Sequence, residues 1–277
     1  IQISNNQFLG VTNPYFYSNV FIWSSTDNDD SCTIENNLFN QGNQAIELYG
    51  LSYSTPETGT IIRNNTIQNG ARSAIYTANQ QSMTISGNRI KLKNNTSGKV
   101  GITVTNSRNA LDVSCNNITS SGIYDNGIYV DHDGTASVPG LVYNNFVALK
   151  NNSSGRYGIY SYYSLYLNIY FNSVNIYGGT ATGNYACRIH YGSDIQTKNN
   201  IFCNRNGGYS IYQTGTGLVQ SDFNDLYTTG TNLGYISGNR TDLSAWQTAT
   251  SKDASSISVD PLFTANDNLH VYISNLD

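Results

Sequence analysis

The chain has 277 residues, enough to bury a large core, yet only 12% of them are charged, against roughly 25% in ordinary soluble domains. The formal net charge is −4 and the 14 Lys and Arg residues are thinly spread, so the basic patch of a nucleic-acid-binding protein is not visible. No run approaches the roughly 18 apolar residues that span a bilayer, so neither nucleic acid nor membrane insertion is expected.

A short pattern, apolar-x-x-Asn-x-apolar, recurs from the first residues onward, with 23 to 31 residues between successive copies. This period is too short for a helical-pair repeat. An inward amide at a sharp turn can satisfy backbone groups and stack on the amide of the next coil, so the pattern predicts an asparagine ladder. The interpretation assigns the ladder to Asn6, Asn37, Asn65, Asn88, Asn117, Asn145, Asn172, Asn200 and Asn224. An apolar column two residues further on is predicted as core, with Thr119 as its exception.

A second motif, a small residue followed by alternating apolar and polar residues, lies between the asparagines. It reads AIELY, AIYTA, GITVT, GIYVD, GIYSY, ACRIH and SIYQT, beginning at Ala45, Ala74, Gly101, Gly127, Gly158, Ala186 and Ser210. Period-two alternation is typical of a strand with one buried face. The two motifs together predict an all-β fold, a single-stranded right-handed parallel β-helix of about nine coils. Residues 1–277 are interpreted as one domain, with regular coils over residues 1–226.

The pattern changes after Asn224, and residues 227–277 are predicted to be a C-terminal excursion followed by the last strands. Residues 242–250 contain the one segment that reads as a helix, with Asp242 as its N-cap. We expect this excursion to shield the end of the stack, and a last strand is predicted near residues 257–263.

The motifs SDFNDLY, LSAWQTATSKDASSISVDPLF and NLHV resemble the terminal part of right-handed parallel β-helix proteins of the pectate-lyase-like superfamily. The resemblance is specific over roughly the last 55 residues and generic over the coils. It is of the type found in large secreted or cell-surface proteins of Bacteroidetes, many of them exported by type IX secretion. It implies an extracellular or cell-surface location and frequent contact with polysaccharides, but no activity, because fold does not fix function. The chain is interpreted as a fragment of a longer protein.

Residues after the small one alternate inward and outward, so equivalent outward positions stack about 4.8 Å apart on adjacent coils. Their outer face is predicted to be a strip of tyrosines with Glu47, Asp131, Arg188 and His190 among them. Exposed tyrosine rings can stack on sugars while their hydroxyl groups form hydrogen bonds. The alternative is a ladder that only stabilises the sheet. The predicted carbohydrate-binding residues are Tyr76, Tyr129, Tyr160, Tyr162 and Tyr212.

Catalytic machinery is only weakly indicated. Asp131 and Asp133 flank His132 and could reach the roughly 5–9.5 Å carboxylate separation of a glycosidase if both point outward, although a solvated turn is the favoured explanation. Arg188 and His190 are the other weak catalytic candidates. No Cys/His metal spacing occurs and no cofactor is expected; calcium at the two aspartates would need ligands from a neighbouring coil. Cys187 replaces an Ile of the repeat, which favours a buried free thiol, with pairing to Cys203 left open.

The sequence therefore favours a secreted or cell-surface module, noncatalytic and adhesin-like, whose tyrosine strip contacts a polysaccharide or cell-surface glycan. The first alternative is a polysaccharide lyase or glycoside hydrolase that uses the same groove. The second is a structural spacer in a large surface protein. Further domains of the same chain, or a secretion or surface complex, are the other partners that the interpretation allows.

Overall fold

The computed structural model describes residues 1–10, 19–24, 26, 29–42, 44–69, 72–92, 98–122, 124–151 and 153–271. These residues form a parallel β-helix, because almost every strand pairs in parallel with the equivalent strand of the next coil. Three columns of strands run along the stack and give it three faces. The predicted all-β parallel β-helix is confirmed, and the nine strands of one column mark about eight complete turns.

The first column, the ladder face, contains the strands that follow the ladder asparagines. It comprises Gln7–Leu9, Leu38–Asn40, Thr66–Gln68, Arg89–Leu92, Asn117–Ser120, Phe146–Lys150, Ser173–Tyr177, Ile201–Asn204 and Asp225–Thr228.

The second column, the lead-in face, contains the strands that precede those asparagines. It comprises Gln2–Ser4, Thr33–Glu35, Ile61–Arg63, Gln80–Ser86, the second half of Val100–Ser114, Gly140–Tyr143, Leu167–Tyr170, Ile195–Lys198 and Leu218–Asp222. The short strand Glu57–Thr58 pairs with the beginning of Gln80–Ser86.

The third column, the tyrosine face, contains the strands of the second sequence motif. It comprises Val20–Trp23, Ile46–Tyr49, Ile75–Ala78, the first half of Val100–Ser114, Asn126–Asp133, Tyr157–Tyr162, Tyr185–His190, Tyr209–Thr214 and Gly234–Ile236. Because Gly234–Ile236 pairs in parallel with the preceding strand, this face continues ten residues beyond residue 226, where the regular coils were predicted to end.

The asparagine ladder forms as predicted, with one correction of register. Each ladder asparagine donates its backbone N–H and its Nδ2 to the Oδ1 of the next, as Asn145 does to Asn172 at 3.1 and 3.0 Å. In the fifth coil the ladder residue is Asn116, not Asn117, which is exposed. The cause is the neighbouring apolar column, where Ile118 pairs with Ile90 and Val147, so that Thr119 faces outward instead of entering the core.

The small residue at the start of each tyrosine-face strand is required by packing at a corner. A Cβ atom on Gly127 would lie 2.5 Å from Cγ1 of Val147, and one on Gly158 would lie 2.2 Å from Cγ1 of Val174. Both distances are far inside van der Waals contact, so the corner brings the backbone against the apolar column of the ladder face. The next residue in each strand is fully buried, as predicted: Ile46, Ile75, Ile102, Ile128, Ile159, Cys187 and Ile211. Cys187 and the other three cysteines are free thiols.

The C-terminal excursion shields the end of the stack. The helix Leu243–Thr250 begins after Asp242, whose side chain accepts from the backbone N–H of Ala245 at 2.8 Å, so the predicted N-cap is confirmed. Trp246 is fully buried on this helix, and a Cβ atom on Gly234 would lie 2.6 Å from its ring. The indole Nε1 donates to Asp253 at 2.7 Å.

The strand predicted near residues 257–263 is wrong in its extent. Ile257 makes a single bridge to Asp225, and the next strands along the chain are Phe263–Ala265 and Asn268–Val271. Before the helix, the short strand Asn239–Arg240 pairs antiparallel with Gly234–Ile236. The last two strands form an antiparallel hairpin that packs outside the ladder face, over Ala148 and Cys203. No helix of the described residues is long and apolar enough to cross a membrane.

Candidate functional site

The strand register places four of the predicted tyrosines in one outward column of the tyrosine face. From coil to coil this column reads Glu47, Tyr76, Thr103, Tyr129, Tyr160, Arg188, Tyr212 and Tyr235. The fifth predicted residue, Tyr162, lies in the next outward column, where it pairs with His190. The structure therefore brings together all five residues that the sequence indicated, together with Arg188 and His190.

The rings contact one another along the whole C-terminal part of the face. The ring centroids of Tyr129 and Tyr160 are 5.4 Å apart and nearly perpendicular, and Tyr160 and Tyr162 are 5.8 Å apart. Tyr212 and Tyr235 stack at 4.4 Å with an interplanar angle of 10°. Edge-to-face and offset stacked pairs of this kind stabilise a sheet by about 0.5–1.5 kcal/mol each.

A further column of rings extends the strip and was not predicted. Tyr157, Tyr185 and Tyr209 precede the small residue of their strands, and at the corner they turn outward instead of following the alternation inward. Tyr157 lies 4.9 Å from Tyr160, and Tyr185 lies 4.6 Å from Tyr212. A sequence signal existed, because the tyrosine directly before the small residue recurs as YGI, YAC and YSI.

Arg188 interrupts the first outward column and joins the rings on either side of it. Its guanidinium carbon lies 4.7 Å from the ring centre of Tyr160, 5.1 Å from that of Tyr185 and 5.8 Å from that of Tyr212. Cation–π contacts at these distances contribute about 0.5–2 kcal/mol, more where water is excluded. Arg188 is therefore a structural member of the strip and its fixed positive charge.

The phenol groups of Tyr129 and Tyr160 are hydrogen-bond donors at neutral pH. Burial, the Asp131 carboxylate and the neighbouring phenols raise the pKa of Tyr129. Burial also raises the pKa of Tyr160, although the Arg188 cation opposes this shift. A surface of neutral phenols offers apolar rings together with hydroxyl groups, the combination that sugars require.

The four weak catalytic candidates lie on the tyrosine face but do not converge. Asp131 follows Tyr129 on the strand Asn126–Asp133, whereas Arg188 and His190 lie on Tyr185–His190. The strand Tyr157–Tyr162 runs between them, so the two groups are separated by two strand spacings, about 9.6 Å, with tyrosine rings in between.

Each candidate also has a structural environment of its own. Burial, with a smaller effect of Asp133, raises the pKa of Asp131, and Asp133 itself accepts a hydrogen bond from the Tyr53 hydroxyl. His190 stacks on Tyr162 at 5.4 Å, and its Nδ1 lies 2.7 Å from Oγ1 of Thr214. Burial and the nearby Arg188 lower the pKa of His190.

One depression opens where the strip lacks a ring. Thr103 takes the outward position between Tyr76 and Tyr129, and Thr105 lies beside it on the same strand. The resulting groove has a volume of about 470 Å³. Its lining includes Glu47, Arg72, Tyr76, Thr103, Thr105 and Tyr129.

Metal-ligating side chains are dispersed over the described part of the chain. His132 is fully buried inside the stack, His190 lies on the tyrosine face, and His270 lies on the C-terminal hairpin. Met83 is buried in the core. Among the described residues no three His, Cys, Asp or Glu side chains come close enough to hold a metal ion.

Comparisons with known proteins identify a family. A family model described as periplasmic copper-binding protein (NosD) matches residues 1–154. No curated protein matches the chain. The A-module of mannuronan C-5 epimerase AlgE4 from Azotobacter vinelandii is similar over 83% of this chain and 84% of that one, with 9% identity and a TM-score of 0.24. For the AlgE6 A-module of the same organism the values are 94%, 89%, 9% and 0.23. At these TM-scores neither likeness supports an inference about activity.

Proposed function

This chain belongs to the family described as periplasmic copper-binding protein (NosD), and from this premise we propose that it is an exported, noncatalytic β-helix module whose tyrosine face contacts glycans. The extracellular or cell-surface location, the adhesin-like role, and the Bacteroidetes-type origin with type IX secretion are parts of this proposal. The Bacteroidetes-type origin and type IX secretion rest on the C-terminal motifs alone.

Copper binding is not carried over from the family description. Copper sites use His nitrogen and Cys or Met sulfur, which must converge on one point. In the described residues His132 and Met83 are buried within the stack, whereas His190 and His270 lie on different faces, and no group of three metal-ligating side chains forms. The donor set therefore does not fit copper. Calcium at Asp131 and Asp133 stays a prediction, because it would need further oxygen ligands from a neighbouring coil.

The observation that carries the proposal is a connected group of aromatic rings on the tyrosine face. Tyr129, Tyr160 and Tyr162 contact one another, with Tyr160 only 9% exposed, and beside them Tyr163 and Tyr191 stack at 5.2 Å with 49% and 45% of their surfaces exposed. Contiguous exposed aromatic surface is unusual on a monomer and commonly marks a binding site.

The expected affinity is weak. Each ring that stacks on a sugar could contribute on the order of 1 kcal/mol beyond simple burial. A total of about 4–6 kcal/mol over three sugars corresponds to millimolar to high-micromolar dissociation constants. Weak single sites suit a protein that binds a polymer at many points, because linking the sites raises the overall affinity.

The decisive experiment compares two double variants that each remove two rings from the same pair of coils. Tyr129→Ala with Tyr160→Ala removes rings from the tyrosine face; Tyr143→Ala with Tyr170→Ala removes register partners from the lead-in face. On a polysaccharide array, we expect the first variant to lose at least tenfold in binding and the second to bind like the wild type.

Three results would contradict the proposal. Equal binding by both double variants would remove the tyrosine face from the interaction. No binding by the wild type to any polysaccharide would favour the structural spacer. Release of unsaturated or reducing sugars, lost on changing Asp131, Arg188 or His190, would replace the proposal with the lyase or hydrolase alternative.

A further inference from the structure

The tyrosine strip has a gap between Tyr76 and Tyr129, and its place is fixed by the strand register. Tyr76, Thr103 and Tyr129 occupy equivalent positions on three successive coils, so the middle coil carries a hydroxyl group where its neighbours carry rings. The second outward position of that coil is Thr105, again a small polar residue. The two threonines leave a slot that is one ring wide.

The dimensions of the slot suit a single sugar ring. Tyr76 and Tyr129 start from strands that are two spacings apart, about 9.6 Å. A ring in van der Waals contact with both walls needs about 3.5–4 Å on each side, a total of about 7–8 Å. The groove volume of about 470 Å³ also falls in the usual range for small-molecule sites, about 300–1,000 Å³.

The floor of the slot is lined with hydroxyl groups. Thr103 lies deep in the slot, with 9% of its surface exposed, and its Oγ1 is 3.3 Å from Oγ of Ser73. Thr105 donates from its Oγ1 to the backbone oxygen of Thr77 at 3.2 Å, and the Tyr76 hydroxyl lies 3.5 Å from the same Oγ1. Each threonine or serine hydroxyl keeps lone pairs that can accept from a ligand. Such a floor matches the hydroxyl groups of a sugar ring that is held edge-on between two aromatic walls.

The charges at the rim are balanced. Arg72, which is exposed, and Glu47, which accepts from the Tyr49 hydroxyl at 3.1 Å, both line the groove. A sugar carboxylate would meet Glu47 as well as Arg72, so the slot offers it no net attraction. A neutral sugar meets donors and acceptors without an unpaired charge.

We propose that this slot binds one neutral hexopyranose unit of a glycan chain between the rings of Tyr76 and Tyr129, with its hydroxyl groups over Thr103 and Thr105. The inference rests on the proposed glycan-binding function and adds the position and the chemical class of one bound sugar. It also gives a role to the gap in the strip, which would be absent from an unbroken ladder of rings.

Filling the slot tests the inference directly. Thr103→Tyr restores the missing ring in a position whose register neighbours are tyrosines, so the strand should accept it. Thr119→Tyr makes the same change on the outer side of the ladder face and serves as the matched control. With neutral oligosaccharides of two to four sugars, measured by ligand-observed NMR titration, we expect Thr103→Tyr to weaken binding at least tenfold and Thr119→Tyr to leave it within twofold.

The outcomes distinguish the slot from the proposed glycan contact of the whole tyrosine face. Equal or tighter binding by Thr103→Tyr would overturn the slot but not the glycan contact of the face, because an added ring only lengthens its aromatic surface. No binding by the wild type would overturn both proposals. A preference for uronic acid oligomers that disappears in Arg72→Gln would overturn the neutral assignment.

A second variant guards against misfolding of the first. Tyr76→Ala removes one wall without adding volume, and we expect it to weaken oligosaccharide binding about five- to tenfold, whereas Tyr143→Ala on the lead-in face leaves binding unchanged. Unchanged binding by Tyr76→Ala would also overturn the slot. Thermal unfolding of each variant verifies that the compared proteins are folded.

Discussion

The asparagine ladder and the tyrosine face are built on the same coils with the same spacing, yet their sequences behave differently. The ladder uses one residue type in all nine coils, from Asn6 to Asn224. The first outward column of the tyrosine face changes from Glu47 through Thr103 to Arg188 within the same stack. The ladder amides are confined by buried backbone groups that must be paired, whereas an outward side chain need only be compatible with a strand. A position that keeps the same residue in every coil thus indicates a structural requirement. A position that varies from coil to coil indicates a surface that is free to acquire a function.

The largest expected effect comes from breaking the ladder. Asn116 donates to Ile85 and Asn145 and accepts from Asn88, all at about 3 Å in the buried interior. Asn116→Ala leaves several of these groups unpaired, and we expect it to lower the free energy of unfolding by about 3–5 kcal/mol. Asn117→Ala, one residue further on and exposed, should change it by less than about 0.5 kcal/mol. Urea unfolding of both variants measures the difference, and a reversed order would restore the register predicted from the sequence.

The next effect concerns an interior polar residue that is not repeated. His132 is fully buried with Nδ1 at 2.9 Å from Oγ of Ser107, and burial lowers its pKa to about 4, against a weaker opposing effect of Asp133. Below about pH 6.5 the unfolded chain binds a proton at His132 that the folded protein does not bind. The free energy of unfolding therefore falls as the pH is lowered from about 6.5 to about 4. The loss attributable to His132 should reach about 3 kcal/mol.

The control for this prediction is His132→Gln, compared with the wild type by urea unfolding at a series of pH values. Contributions of the carboxylates are common to both proteins and cancel in the difference. The difference should widen steadily in favour of His132→Gln as the pH falls from 6.5 to 4. A difference that does not depend on pH would contradict the assignment.

A buried acid at the C-terminal end should act with the opposite sign. Burial raises the pKa of Asp225 to about 6, with Asp260 adding to the shift and the hydrogen bond from the Val259 N–H opposing it. The folded protein therefore keeps a proton that the unfolded chain releases near pH 4, and the free energy of unfolding declines as the pH rises from about 4 to 6. Asp225→Asn should raise it by about 2 kcal/mol at pH 7 and by little at pH 4, as chemical unfolding at the two pH values would reveal. A destabilised variant at pH 7 would refute this.

The smallest effect on folding is expected on the tyrosine face. Tyr212 stacks on Tyr235 and also contacts Tyr185 and Tyr209, all outside the core, so Tyr212→Ala should lower the free energy of unfolding by about 1–2 kcal/mol, below the value for Asn116→Ala. Differential scanning calorimetry of the two variants side by side measures the contrast. A loss of 3 kcal/mol or more for Tyr212→Ala would favour a structural role for the strip.

Much of the architecture could be predicted from the sequence, because a repeat reports each constraint many times. The ladder, the buried column from Ile46 to Ile211 and the N-cap Asp242 were all predicted and are confirmed. The error at Asn117 arose because the ladder residue is the second asparagine of the pair in the other coils that have one, such as Asn144–Asn145, but the first in Asn116–Asn117. The correct choice is the one that puts Ile118 two residues later in the apolar column.

The rest could not be predicted because it depends on contacts without a periodic signal. The outward turn of Tyr157 results from a corner, where strict alternation fails. The C-terminal hairpin covers the ladder face through contacts between distant residues, such as Asn175 with Asn266 at 2.9 Å. The role of the tyrosine face stays a prediction, since local sequence distinguishes a stabilising ring from a binding ring only poorly.

The ladder has a direction, and this gives it an electric dipole as well as a structural role. Every amide points the same way along the stack, so the small dipoles add up, as the peptide dipoles of an α-helix do. The donor end is Asn224, whose Nδ2 lies 3.1 Å from the carboxylate of Asp253, a residue with no exposed surface. The Asp253 side chain thus accepts a hydrogen bond at the positive pole of the array. The excursion that closes the stack supplies the last acceptor of the ladder, much as an N-cap side chain does for the free N–H groups at the start of a helix.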